Sequence, residues 1–81
     1  MDQTQYVDDE IRNLMAGILD IAPSQIDGEA RLVQDLGMDS MMALEIVTSI
    51  EHKYKVKLPD AELANVKTLN SVIEIVKRYA R

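Results

Sequence analysis

Three stretches of this chain place apolar residues at the spacing of one helix face, and that pattern restricts the fold more than any other feature. In the first, Val7, Ile11, Leu14, Met15 and Ile18 follow steps of four, three, one and three. The second carries Leu44, Val47, Ile50 and Tyr54, with Met42 and Ile46 widening the stripe. The third carries Leu69, Val72, Ile73, Val76 and Tyr79. The one short run of strand-forming residues, Val56 to Leu58, has no partner strand, so a sheet is not expected. The expected fold is all-α, a four-helix bundle of three longer helices and one short third helix. A long ordered loop joins helices one and two.

The ends of these helices are marked by residue type. Thr4 is the expected N-cap of the first, with Asp8, Asp9 and Glu10 near the positive end of its dipole, and Pro23 is expected to stop it. Gly17 reads either as a close-packing position or as the fraying end of that helix. Asp39 is the expected N-cap of the second helix, which starts at Ser40 and loses its pattern near Lys55, with Lys53, Lys55 and Lys57 suiting its negative end. Pro59 or Asp60 opens the short helix, and Thr68 caps the last, which ends in Lys77, Arg78 and Arg81. Residues 20–39 make a connection long enough to be unusual unless it packs its own side chains or carries function. Ile26, Leu32, Val33 and Leu36 are its candidate anchors, and residues 32–36 a candidate helical turn.

Length sets what such a bundle can do. With 81 residues the chain supports one core, and residues 1–81 are expected to be a single domain. A domain of this size buries only about two-thirds of the surface its unfolded chain exposes, which leaves no room for a deep cleft with a catalytic apparatus. There is no cysteine, so disulfides, thiolate metal sites and cysteine nucleophiles are excluded. The N-terminus, Met1-Asp2-Gln3-Thr4-Gln5, has neither the basic nor the apolar region of a signal peptide, and no apolar run approaches the ~20 residues of a membrane span. A soluble cytoplasmic protein, without stable membrane insertion, is expected. Met1 and the short polar ends suggest a free-standing chain.

Charge is unevenly spread. Residues 1–40 hold nine acids and two bases, a net of −7, and residues 41–81 hold five acids and seven bases, a net of +2, giving −5 for the whole. Such a chain repels phosphate backbones, which argues against nucleic-acid binding. Its acidic half can steer basic protein partners, or serve only solubility.

One serine stands out against this background. Leu36-Gly37-Met38-Asp39-Ser40-Met41 puts a hydroxyl at the first turn of the second helix, after a glycine and a capping carboxylate. Unpaired N–H groups and the helix dipole favour a bound or attached phosphate there. Position alone permits two readings, a residue chosen to start a helix or a point of attachment. A nucleophilic role fails on geometry. His52, the only histidine, lies twelve residues along the same helix, about 18 Å at 1.5 Å per residue. A lone histidine without cysteine makes zinc improbable, and Asp27-Gly28-Glu29 with Asp35 does not match a calcium loop, so no metal site is expected.

The stretch Leu36-Gly37-Met38-Asp39-Ser40-Met41 resembles the signature of acyl carrier and peptidyl carrier proteins. Met42-Ala43-Leu44-Glu45-Ile46 is similar to its continuation, especially in carrier domains of polyketide synthases. The resemblance covers almost the whole chain and includes the order of the helices. It implies a non-catalytic carrier whose Ser40 bears 4′-phosphopantetheine in a phosphodiester bond, with acyl intermediates held on its thiol as thioesters. The cofactor supplies the reactive sulfur and partner enzymes the catalysis. Asp39 is implied to help engage a phosphopantetheinyl transferase, and Met41, Leu44 and Glu45 to form part of the surface that partners read. The implied partners are that transferase and acyl-transferring and ketosynthase-type enzymes with basic docking patches, meeting a monomeric carrier.

Two departures bear on the pathway. Met42 stands where housekeeping fatty-acid carriers have an acidic residue, and Glu51-His52-Lys53 replaces an acidic run late in the helix. Both favour a specialised partner set in fatty-acid, polyketide or related biosynthesis. A peptidyl or aminoacyl carrier, or a small helical interaction domain whose serine is never modified, are the alternatives. Five methionines with no Phe or Trp make an adaptable interior, either an ordinary core or one that parts to admit an acyl chain.

Overall fold

The computed structural model describes residues 3–80, with side chains from residue 7 onward. Three α-helices carry the architecture: α1 over Gln3–Leu19, α2 over Ser40–Tyr54 and α3 over Leu69–Tyr79. Two short 310 helices, Pro23–Gln25 and Asp60–Asn65, interrupt the connections. Helix α1 packs against both α2 and α3, and the 310 helix Asp60–Asn65 also packs against both. No strand occurs among the described residues. The chain does pair once with itself, through an isolated antiparallel bridge between Arg31 and Thr68, where Leu32 N–H donates to the Lys67 carbonyl at 2.8 Å.

The three apolar faces meet in one core. Ile11 and Met15 from α1, Ile46 and Ile50 from α2, and Leu69, Val72 and Val76 from α3 are fully buried, joined by Leu32 from the long loop. Each such side chain contributes about 1.5–3 kcal/mol by leaving water. The face of α2 differs from the expected stripe by one residue. Ala43, Ile46 and Ile50 point inward and Leu44 faces out. Leu44 and Val47 lie three apart on one side of the helix, Ala43 and Ile50 seven apart on another, and both spacings satisfy helical periodicity. Only tertiary packing, against α1 and the 310 helix Asp60–Asn65, decides which side is buried.

Helix ends also show where local signals were and were not decisive. Helix α1 begins at Gln3, so Thr4 lies within its first turn and is not its cap, and Asp8, Asp9 and Glu10 fall in the second turn. They act through side-chain pairs instead: Asp8 with Lys77 at 3.8 Å, Asp9 with Arg12 at 3.9 Å, and Glu10 with Lys53 at 3.8 Å. The helix stops at Leu19, four residues before Pro23, because Asp20 turns left-handed (φ 59°) and Ile21 N–H reaches back to the Ala16 carbonyl at 3.1 Å. Lys55 closes α2 in the same way (φ 56°), with Val56 N–H on the Glu51 carbonyl at 3.1 Å. Thr68 caps α3 as expected: its hydroxyl accepts from Ser71 N–H at 3.1 Å, and Ser71 Oγ accepts from Thr68 N–H at 2.9 Å.

The expected short third helix is the 310 helix Asp60–Asn65, entered from an extended Pro59. It holds an unexpected buried charge. Glu62 is 7% exposed and accepts hydrogen bonds from Tyr79 Oη at 2.6 Å, Asn65 Nδ2 at 2.8 Å and Arg78 Nη1 at 3.0 Å. Those bonds and the guanidinium hold the Glu62 carboxyl below the usual glutamate range, Tyr79 contributing most, while the bond to Glu62 raises the Tyr79 phenol against the opposing charge of Arg78. Tyr54 ties α2 to α1 by donating to Glu10 at 2.9 Å, and burial with the adjacent carboxylate pushes its phenol up. None of the described helices is long and apolar enough to cross a membrane.

Candidate functional site

The site is assembled from the loop between α1 and α2 and the first turn of α2. The loop is held against the core by Ile26, Leu32 and Met38, all buried. Leu36 is half-buried, as expected of an anchor, but Val33 is 54% exposed and does not serve as one. Met38 takes that place. Residues 31–37 coil into a turn, with Asp35 N–H on the Arg31 carbonyl at 2.8 Å and Gly37 N–H on the Val33 carbonyl at 3.2 Å. Gly37 then adopts φ 72°, which reverses the chain so that Met38 N–H reaches the Leu32 carbonyl at 2.9 Å. The exposed Asp35 carboxylate grips both the backbone N–H and the guanidinium of Arg31, at 2.9 and 3.1 Å, and these bonds hold its carboxyl below the usual range. Further back, Asn70 N–H donates to the Gly28 carbonyl at 3.1 Å, and its side chain donates to Glu29 at 2.6 Å.

This anchoring delivers Asp39 in an extended conformation (φ −112°, ψ 179°), with its Oδ1 accepting from Met42 N–H at 2.8 Å and its carbonyl from Ala43 N–H at 3.0 Å. Asp39 is thus the N-cap expected from its residue type. Ser40 follows as the first helical residue, exposed to solvent. The backbone N–H groups of Ser40 and Met41 precede the first intrahelical bond and find no acceptor among the described residues. A charged oxygen there would meet two donors and the positive end of a four-turn helix, which suits a phosphodiester on the Ser40 hydroxyl. The structure therefore accommodates such a group.

Beside Ser40 lies a cavity of about 550 Å³, walled by Val33, Met38, Ala43, Leu63 and Val66. A second, of about 410 Å³, lies along α2 between Leu44, Val47, Leu58 and Leu63. The exposed large apolar side chains among the described residues, Val33, Met41, Leu44 and Leu63, gather on this side, with Met41 at 78% and Leu44 at 52% exposed. Glu45 is exposed beside them, so Asp39, Ser40, Met41, Leu44 and Glu45 share the accessible surface at the start of α2. Met42 turns inward and is half-buried against the core. His52 lies exposed in the last turn of the helix, remote from Ser40. Among the described residues no three His, Asp or Glu side chains come together to hold a metal.

The residues missed by sequence reasoning are Leu63 and Val66, which close the cavity from the other side of the bundle, and Glu62, which fixes them there. Ala-Glu-Leu in a short polar helix carries no sign that its glutamate is buried, since its partners Arg78 and Tyr79 lie sixteen and seventeen residues away.

Comparison with known proteins meets this geometry. The family described as phosphopantetheine attachment site matches residues 9–76. The chain is 35% identical over 68 residues to polyketide-8 synthase acyl carrier protein 2 of Streptomyces avermitilis, covering 84% of this chain and 78% of that protein. It is 40% identical over 74 residues to an anthracycline acyl carrier protein of Streptomyces peucetius, covering 89% and 88%. In three dimensions it is similar to the crystal structure of a free-standing peptidyl carrier protein from a secondary metabolic pathway of Acinetobacter baumannii, with a TM-score of 0.78, 27% identity, and coverage of 93% and 92%.

Proposed function

This chain belongs to the phosphopantetheine-attachment family of acyl carrier proteins, and from that premise we propose that Ser40 is its attachment residue. The protein is a carrier that holds acyl groups on covalently attached 4′-phosphopantetheine. The observation that carries the assignment to Ser40 is its position: an exposed hydroxyl on the first residue of α2, beside two N–H groups with no acceptor among the described residues, and after a capping aspartate. In the attachment step the Ser40 O–H bond breaks and an O–P bond to the phosphopantetheine of coenzyme A forms, the nucleotide portion leaving. The serine proton goes to a base of the transferase, since His52, the chain's own candidate, sits about 18 Å away along the helix. Once bound, the arm supplies a thiol that carries the acyl group as a thioester.

What remains for the chain is to orient and present. Asp39 caps α2 and so holds Ser40 at the first turn of the helix, while its exposed carboxylate offers a charge to the phosphopantetheinyl transferase. Met41, Leu44 and Glu45 supply a mixed apolar and acidic patch suited to acyl-transferring and ketosynthase-type enzymes with basic docking sites. On this reading residues 1–81 form one non-catalytic carrier domain, monomeric and working in the cytoplasm beside the enzymes that load and unload it. The identities to polyketide carriers favour a specialised biosynthetic role with acyl cargo. The likeness to a peptidyl carrier supports aminoacyl cargo as the second reading.

Intact-mass measurement after incubation with coenzyme A and a phosphopantetheinyl transferase tests the assignment. The wild type should gain one phosphopantetheine and Ser40→Ala none. A chain that gains nothing with several transferases would instead be an unmodified interaction domain. Loading with malonyl, acyl and aminoacyl donors then separates the cargo classes.

A further inference from the structure

Between its buried anchors Ile26 and Leu32, the long loop has no buried side chain. Apolar burial alone therefore does not hold residues 27–31 in place. A turn shapes them locally: Asp27 Oδ1 accepts from Glu29 N–H at 3.0 Å, and the Asp27 carbonyl accepts from Ala30 N–H at 3.0 Å. The start of α3 then fixes that turn against the bundle. Asn70 is the second residue of α3, so its N–H has no acceptor within the helix. It donates instead to the Gly28 carbonyl at 3.1 Å, while its side-chain Nδ2 donates to Glu29 Oε1 at 2.6 Å. One residue thus grips two consecutive residues of the loop.

The approach is close. A Cβ at Gly28 would lie 2.6 Å from Asn70 Oδ1 and 2.9 Å from Nδ2, so a side chain there must displace the Asn70 amide. The backbone of Gly28 is not left-handed, so this contact and not its conformation favours glycine. The grip is also continuous with the serine. Next along the loop Arg31 bridges Thr68, and Leu32 N–H donates to the Lys67 carbonyl at 2.8 Å. The Leu32 carbonyl accepts from Met38 N–H at 2.9 Å, and Met38 leads into Asp39, which caps α2 and precedes Ser40.

We infer that Asn70 is a positioning residue for the loading of Ser40: by gripping Gly28 and Glu29 it keeps the loop closed on α3, and so keeps Met38 and Asp39 where they present the serine. The inference rests on Ser40 being the attachment residue. Asn70 acts through the loop. When its grip is lost, the loop opens from the Gly28 end and the Arg31–Thr68 bridge loses its support. Only a fraction of the molecules then presents Ser40 in the arrangement the transferase binds. Apparent affinity falls by that fraction, while the bound complex reacts as before.

Two substitutions remove the grip by different routes. Asn70→Ala deletes the amide, and Gly28→Ala evicts it with a methyl group. Loading of the full chain from coenzyme A by a phosphopantetheinyl transferase, followed by intact mass, gives kcat and KM at a temperature where circular dichroism shows every variant folded. Amide hydrogen exchange reports the loop itself. In each single variant the protection of the Leu32 and Met38 N–H groups should fall roughly two- to tenfold, the factor that one hydrogen bond of ordinary net strength supports. KM should rise at least about twofold with kcat unchanged. The double variant should be no worse than either single one, because both break the same contact. An unchanged KM in folded variants makes Asn70 a structural anchor only and overturns the inference. So does a fall in kcat in place of the rise in KM, or a rise in KM without loss of protection at Leu32 and Met38. Effects that multiply in the double variant overturn the shared contact. A wild type that takes up no arm, or a Ser40→Ala variant that does, overturns the attachment reading and the positioning with it, and intact mass reports that before any kinetics.

Discussion

Asp39 does two things at once, and a pair of substitutions separates them. Its Oδ1 accepts from Met42 N–H at 2.8 Å, which caps α2, and its exposed charge sits one residue before Ser40. Asp39→Ala removes both. Loss of an N-cap side chain costs about 1 kcal/mol, within a range of 0.5–2, and loss of a carboxylate at a helix start costs a further ~0.3–1 kcal/mol. For a domain of this size about 1 kcal/mol corresponds to a Tm change of roughly 4–8 °C, so Asp39→Ala should melt at least about 3 °C lower. Asp39→Asn keeps an equally good cap and loses only the charge, so its stability should fall by no more than ~1 kcal/mol. Loading by the transferase should divide the variants differently. If the enzyme reads the carboxylate, a charge-assisted bond of about 1.5–3 kcal/mol is lost in both, and kcat/KM for loading should drop by at least about tenfold in each. Thermal denaturation and loading kinetics, measured by intact mass over time, give the two readouts. An Asp39→Ala protein as stable as the wild type would refute the capping argument. An Asp39→Asn protein loaded at the wild-type rate would refute recognition through charge.

Two further expectations follow from the same geometry. Glu62→Gln should lower stability at neutral pH, and the gap from the wild type should narrow in acid. The folded carboxyl titrates below the ordinary value of 4.5 because of its bonds from Tyr79, Asn65 and Arg78, so its contribution is complete above that value and is lost as pH falls through the lowered one. Urea midpoints from neutral pH down into the acid range would show this, and a gap that does not change with pH contradicts it. The glycines Gly17 and Gly37 should respond to alanine with opposite signs, because a Cβ at either meets no atom within 4 Å and only the backbone decides. Gly17→Ala, within α1, should stabilise by about 0.5–1 kcal/mol. Gly37→Ala, at φ 72°, should destabilise by about 1–2 kcal/mol. Paired melting curves suffice: a Gly37→Ala protein as stable as the wild type or more so would show that the loop relaxes at Gly37, and a destabilised Gly17→Ala would refute the open-site reading of Gly17.

The open surroundings of Gly17 also decide between its two readings: no neighbour approaches closely enough to require a glycine, and the helix ends two residues later at Leu19. Asp20 and Lys55, which close α1 and α2 in left-handed conformations, carry no such sign in the chain, because aspartate and lysine are ordinary elsewhere. Pro23 was the visible stop signal, yet it opens a 310 helix after α1 has already ended.

Helix periodicity, the caps at Asp39 and Thr68, and the run from Leu36 to Met41 are local properties, set by residues within a few positions of one another. They were therefore readable without coordinates, and they specify three helices, the start of α2 and the exposed serine on it. Which side of α2 faces inward, and hence that Ala43 is buried and Leu44 presented, depended on where α1 and the 310 helix Asp60–Asn65 pack. The burial of Glu62 beneath Arg78 and Tyr79, and the placing of Leu63 between two hollows, depended on bringing together the short 310 helix, α2 and α3. Contacts across such distances in the chain leave no periodic trace, because each partner is an ordinary residue in its own segment. The point of attachment is therefore local information, while the surroundings of whatever is attached are tertiary.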